Sequence, residues 1–135
     1  MTRATLLALA ERVEAATGAD RELDAQVWLA CVPGTTRNEL CYIHKASSRE
    51  CVIDETRDAN RRLIIVPYYT ASLDAAMSLV PSGYEWSVNW CGNSVANVSE
   101  IGVDYPVHCG GAATPALALT AACLRARAIA GSLPD

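Results

Sequence analysis

The sequence predicts an α+β domain in which helices pack on a mostly antiparallel sheet, and three observations carry that prediction. Apolar residues recur at helical spacing in four stretches, near residues 3–16, 20–31, 72–80 and 114–130. Tyr84, Trp86, Val88 and Trp90 alternate with Glu85, Ser87, Asn89 and Cys91, which is the period of a strand with two unlike faces. The elements follow one another as helix, helix, short strands, strand, helix, two strands and helix, an order in which helices and strands are segregated and not strictly alternating.

In the first helix Leu6, Leu7, Leu9 or Ala10 and Val13 form the stripe, while Glu11, Arg12 and Glu14 take the other side. Gly18 ends it, and Asp20 is placed to cap a second helix striped by Leu23, Val27 and Trp28 and closed by Val32-Pro33-Gly34. From Thr35 to Asn60 the chain is polar and irregular. Two strand-like runs, Glu39–His44 and Cys51–Ile53, flank Ser47-Ser48 and read as a hairpin or as elaborated loop. Leu63-Ile64-Ile65-Val66 is a β-branched run typical of a buried strand and is stopped by Pro67. Thr70 or Ser72 caps the third helix, over Leu73, Ala76, Met77 and Val80. Gly92-Asn93 turns the Tyr84–Trp90 strand into a partner over Val95–Val103, whose apolar parity shifts near Ser99 and suggests a bulge. Tyr105–Gly111 reads as loop. Thr114 then caps the last helix, with Pro115 at its first position.

At 135 residues the chain is one domain, 1–135, large enough to bury a core without metal or disulfide. Fifteen acidic against eleven basic residues give a net charge of −4, which argues against duplex nucleic acid as a partner. No run approaches the ~20 apolar residues that span a bilayer, and Ala4–Ala10 is cut off by Glu11-Arg12 before it becomes a leader, so a cytoplasmic protein without a membrane partner is expected. Cys31, Cys41, Cys51, Cys91, Cys109 and Cys123 are then expected to be mostly buried free thiols.

Three stretches together resemble the phage ABA-sandwich domain family: Arg21–Ala25; Tyr69–Ala76 through Leu79–Trp86; and Gly111–Leu119 with Leu124–Ala128. The resemblance covers the N-terminal helices and about residues 67–129. It implies an alpha-beta-alpha sandwich with a small sheet between helices, an origin in bacteriophages or prophages, and no established activity or catalytic residues. The segment at about 31–60 departs from the family pattern, and as a variable loop or hairpin it is where specificity would be added.

No catalytic constellation, cofactor motif or metal site is expected. Cys41-x-x-His44 with His108-Cys109 lacks the second spaced pair that makes a zinc signal strong, and His108 and Cys109, adjacent on an extended chain, point to opposite faces. The stripe of Tyr84, Trp86 and Trp90 is a stacking platform or, more ordinarily, sheet core under a helix. No Lys or Arg occurs between Arg62 and Arg125, so a small anionic ligand would have to take its cations from the middle segment. Arg57, Arg61 and Arg62 are therefore the candidate ligand-binding cations, with Tyr68 and Tyr69 as a nearby aromatic surface. The expected function is that of a non-enzymatic accessory protein binding a small anionic ligand or a host protein, for instance a counter-defence factor sequestering a nucleotide signal. The alternatives are a structural or assembly partner acting through homo-oligomerisation at a sheet edge, with a dimer favoured, or an enzyme of unrecognised type.

Overall fold

Thr2 starts the first helix by accepting the Thr5 N–H on its hydroxyl at 3.2 Å. Helix α1 then runs Arg3–Ala15, with Leu6, Leu9, Ala10 and Val13 buried. The structure is a computed structural model; it describes residues 2–31, 40–45, 48–54 and 63–130, with the backbone alone described for 40–45, 48–54 and 63–65. Asp20 caps helix α2 (Arg21–Cys31), its carboxylate accepting from the N–H groups of Glu22 and Leu23 at 2.9 and 3.1 Å, as its residue type predicts. Strands β1 (Leu40–Lys45), β2 (Ser48–Asp54) and β3 (Leu63–Ile65) form one antiparallel sheet with β2 in the centre. The polar middle segment thus contains a hairpin, in register from Leu40 opposite Ile53 to Lys45 opposite Ser48.

Of the two hydroxyls placed to cap α3 (Leu73–Met77), Ser72 does so, accepting from the Ala75 N–H at 3.3 Å. Thr70 is buried and bonds elsewhere. A second antiparallel sheet follows, in the order β4 (Tyr84–Trp90), β5 (Ser94–Glu100) and β6 (Val107–Ala112). Two expectations need correcting here. The register of β5 runs unbroken against β4 from Trp90–Ser94 to Tyr84–Glu100 and stays in step with β6, so Ser99 marks no bulge. The shifted apolar residues Ile101 and Val103 instead lie beyond the strand's end, in a turn through Gly102 at φ +80. The stretch from Val107, read as loop, is a strand.

Helix α4 (Pro115–Ala130) explains both the layering and that missed strand. Thr114 accepts the Leu117 N–H at 3.3 Å, and every residue from Ala116 to Leu124 is buried. A helix apolar all round must be enclosed. Here β5 and β6 cover one side, while α1 and α3 pack on the rest. Its Leu117, Leu119 and Leu124 are fully buried, each worth about 1.5–3 kcal/mol relative to exposure. Gly110 of β6 lies directly beneath the helix, where an added Cβ would meet the Ala118 carbonyl oxygen at 2.2 Å and the Ala122 nitrogen at 2.7 Å. The observed class is therefore α+β. Inner-face residues Ala96, Val98, His108 and Ala112 are buried, and outer-face residues Glu85, Ser87, Asn89, Val107 and Cys109 are exposed.

The free edge of β6 is closed by side chains. Glu14 of α1 accepts the Gly111 N–H at 2.9 Å, and Arg125 of α4 donates to the Cys109 carbonyl at 2.8 Å. The two side chains also form a two-point pair, at 2.7 and 2.5 Å, as a carboxylate and a guanidinium do when their planes match. Together they take the place of a neighbouring strand. Arg125, aided by the Gly111 amide, holds the Glu14 carboxyl below its ordinary value against the opposing effect of burial. The stability from that shift is complete above the unfolded carboxylate range and is lost as pH falls through the lowered pKa. Glu14→Ala is expected to cost about 1–2 kcal/mol and to speed hydrogen exchange at the Gly111 amide. Unchanged exchange there would mean that the strand edge does not depend on the pair.

Candidate functional site

The anion-site residues expected from the sequence fall into two groups. Arg57, Arg61 and Arg62 lie outside the described residues. Tyr68 and Tyr69 are described, and they do not form one surface. Tyr69 is 3% exposed and belongs to the core, and burial above all pushes its phenol up to about 12. Its carbonyl accepts the Thr120 hydroxyl of α4 at 3.1 Å. Tyr68 is 38% exposed, but the Arg21 guanidinium lies over its ring at 3.9 Å from the centroid.

Arg21 was missed in the sequence as a partner for these tyrosines. It is no free cation: it donates to Asp24 Oδ2 at 2.7 Å, to the Val66 carbonyl at 2.8 Å and to the Pro67 carbonyl at 3.2 Å. Asp24, fully buried, uses its other oxygen to accept the Thr70 N–H at 2.8 Å and the Thr70 hydroxyl at 2.7 Å. That hydroxyl in turn accepts the Asp20 N–H at 2.8 Å. The network fastens α2 to the turn that follows β3. With its charge paired and most of its donors engaged, it is organised for structure and not for capturing an anion.

Among the described side chains, the thiols and the imidazole of His108 do not converge. His108 points into the core and Cys109 outward, where its Sγ–H donates to Asn97 Oδ1 at 3.2 Å, so the adjacent pair cannot cooperate on one substrate or one metal ion. Burial pushes the Cys31 thiol up and that of Cys123 to about 12, which leaves both protonated and unreactive near neutral pH. Cys31, Cys91, Cys109 and Cys123 are free, and of these Cys91 and Cys109 are exposed. Burial likewise lowers the His108 pKa. The neutral imidazole suits the folded state, so stability holds above the unfolded value near 6.5 and falls as pH drops below it toward the lowered folded pKa. Denaturation followed between pH 7.5 and 5 is expected to show this loss, and His108→Leu to flatten it. An unaltered slope in the variant would assign the loss to other groups.

What the sheet does present is an edge. The bonds from Glu14 and Arg125 show that the main-chain groups of Cys109 and Gly111 face away from β5. Counting across the antiparallel register, the groups of Asn97 and Val95 then face β4, and Glu85, Ser87 and Asn89 of β4 face β5. The bond from the Ile101 N–H to the Gly83 carbonyl keeps the same parity. The N–H and C=O groups of Trp86, Val88 and Trp90 therefore point to the open side, where β4 has no strand neighbour among the described residues. Helix α4 lies mainly over β5 and β6. Tyr84, Trp86 and Val88 are consequently only partly covered on the helix side, and Trp90 at the strand's end is 73% exposed. The expected platform is thus a half-covered aromatic shelf beside an edge that is unpaired among the described residues. On the other face a shallow hollow of about 250 Å³ is lined by Glu85, Trp86, Ser87, Asn97 and Ser99.

Comparison with known proteins finds no matching family model, curated protein or solved structure. Among the described residues no helix is long and apolar enough to cross a membrane, and no group of three His, Cys, Asp or Glu side chains is placed to hold a metal ion.

Proposed function

We propose that this chain is a non-enzymatic assembly protein that works by strand addition at β4. The observation that carries the reading is the contrast between the two edges of one sheet. Edges that must not pair are usually blunted by charge, proline, a bulge or a covering side chain. β6 has such a cover in Glu14 and Arg125, whereas β4 is seven residues long, regular in register, and has no Pro and a single charge, Glu85. Main-chain bonds would supply the affinity of an added strand, and the shelf of Tyr84, Trp86, Val88 and Trp90 its apolar contacts.

A peptide with the sequence of residues 84–90 provides the test. Titrated into the protein, it is expected to slow hydrogen exchange at the Trp86 and Val88 amides, which face the open side. If neither the peptide nor a hundredfold rise in protein concentration protects those amides, the edge is not a binding surface and the reading fails.

A further inference from the structure

We infer that the strand added at β4 is the β4 of a second copy, paired antiparallel about a two-fold axis at Ser87, so that two three-stranded sheets join into one continuous sheet. The inference rests on the reading of β4 as an open edge and names its occupant. Ser87 is the middle residue of Tyr84–Trp90, so this register alone uses the strand's whole length. It sets Trp86 opposite Val88 and Tyr84 opposite Trp90 of the other copy. Both pairs have their main-chain groups turned toward the interface, as the parity derived above requires. The exposed Trp90 gains an aromatic partner on the half-covered shelf, the kind of cross-strand contact that stabilises sheets.

Charge selects the same register. Glu85 is the one charged residue of β4. Centring the pair on Glu85 would put two carboxylates face to face, whereas centring it on Ser87 puts each Glu85 opposite an uncharged Asn89. Centring on Trp86 or on Val88 would run one end of each strand past the other and leave Trp90 or Tyr84 without a strand partner. Helix α4 packs mainly on β5 and β6, so it is set back from the strands that would join.

Sedimentation velocity is expected to give about twice the 14.4 kDa chain mass at micromolar concentration. Asn89→Glu, on the exposed outer face, places a carboxylate opposite Glu85 of the other copy and should weaken the dimer on the order of tenfold. Adding Glu85→Lys to that variant should restore it. In a background with Cys91 and Cys109 replaced by serine, Ser87→Cys should give a disulfide dimer under mild oxidation, because residues facing across the axis come within the Cα separation that a disulfide needs. Glu85→Cys should not. A monomer at ~100 µM would overturn the inference; if the peptide still protected Trp86 and Val88, the edge reading would stand with a different occupant. A dimer indifferent to the charge exchange, uncrosslinked by Ser87→Cys and unprotected at those amides would overturn both.

Discussion

Replacing Asp24 by alanine is expected to lower the free energy of unfolding by about 3–5 kcal/mol. The carboxylate is fully buried, and it is the shared acceptor for Arg21 and for both donors of Thr70. Its loss would strand a guanidinium that is itself largely buried, together with an amide and a hydroxyl that water cannot reach. Removing one member of a buried pair costs more than the pair contributes, because the remaining charge is left uncompensated. Asp24→Asn keeps one acceptor but turns an amide N–H₂ or a weaker oxygen toward Arg21, so an intermediate loss is expected. Thr70→Val, which spares the charge pair, should cost about 1–3 kcal/mol. Urea denaturation of the three variants checks the order. An alanine variant as stable as the parent would show that the network is not coupled to global unfolding.

Gly110→Ala is the second large effect. The new methyl group would sit 2.2 Å from the Ala118 carbonyl and 2.7 Å from the Ala122 nitrogen, both backbone atoms of a helix enclosed by packing. No side chain can rotate out of the way, so helix or strand must move as a unit. The cost is placed at or above the upper end of the ~1–3 kcal/mol typical of overpacked cores. Gly111→Ala, where the nearest atom is the Asn93 Nδ2 at 3.8 Å, is the control and should stay within about 0.5 kcal/mol. Thermal melts in which the two variants shift equally would contradict the close seat of α4 on β6.

The same glycine shows how far the sequence could be read. The four helices, the caps at Asp20 and Thr114, one of the two hydroxyls offered for α3, and the strand at Trp86 follow from local periodicity and hydrogen-bonding chemistry, although α3 stops at Met77, short of the Val80 that its apolar spacing predicts. β6 was not legible, because Gly110-Gly111 is the local signature of a turn. The reason for glycine at 110 is the backbone of α4 lying against it, a tertiary fact with no trace in the neighbouring residues. Likewise Thr70 looks like a cap and serves a buried carboxylate, and Tyr69 follows a proline at a strand's end yet belongs to the core. Of the candidate anion site, Tyr68 is partnered by Arg21, which lies 47 positions earlier; proximity in sequence pointed instead to Arg57, Arg61 and Arg62. The open edge was legible only as a possibility of any small sheet. Which edge is covered depends on where Glu14 and Arg125 meet, and they are 111 positions apart in the chain.

If copies pair at β4 as proposed, the covered edge of β6 fixes the valence of the β4–β6 sheet. A sheet with two open edges is a bivalent monomer, and copies of it can add without limit into a fibre. A sheet with one open edge is a chain terminator, and joining two of them leaves nothing further to extend. For growth through this sheet, the Glu14–Arg125 pair is therefore what would separate a closed dimer from an open polymer. Because Arg125 holds the Glu14 carboxyl ionised below the ordinary carboxylate range, that limit on growth would survive moderate acidification.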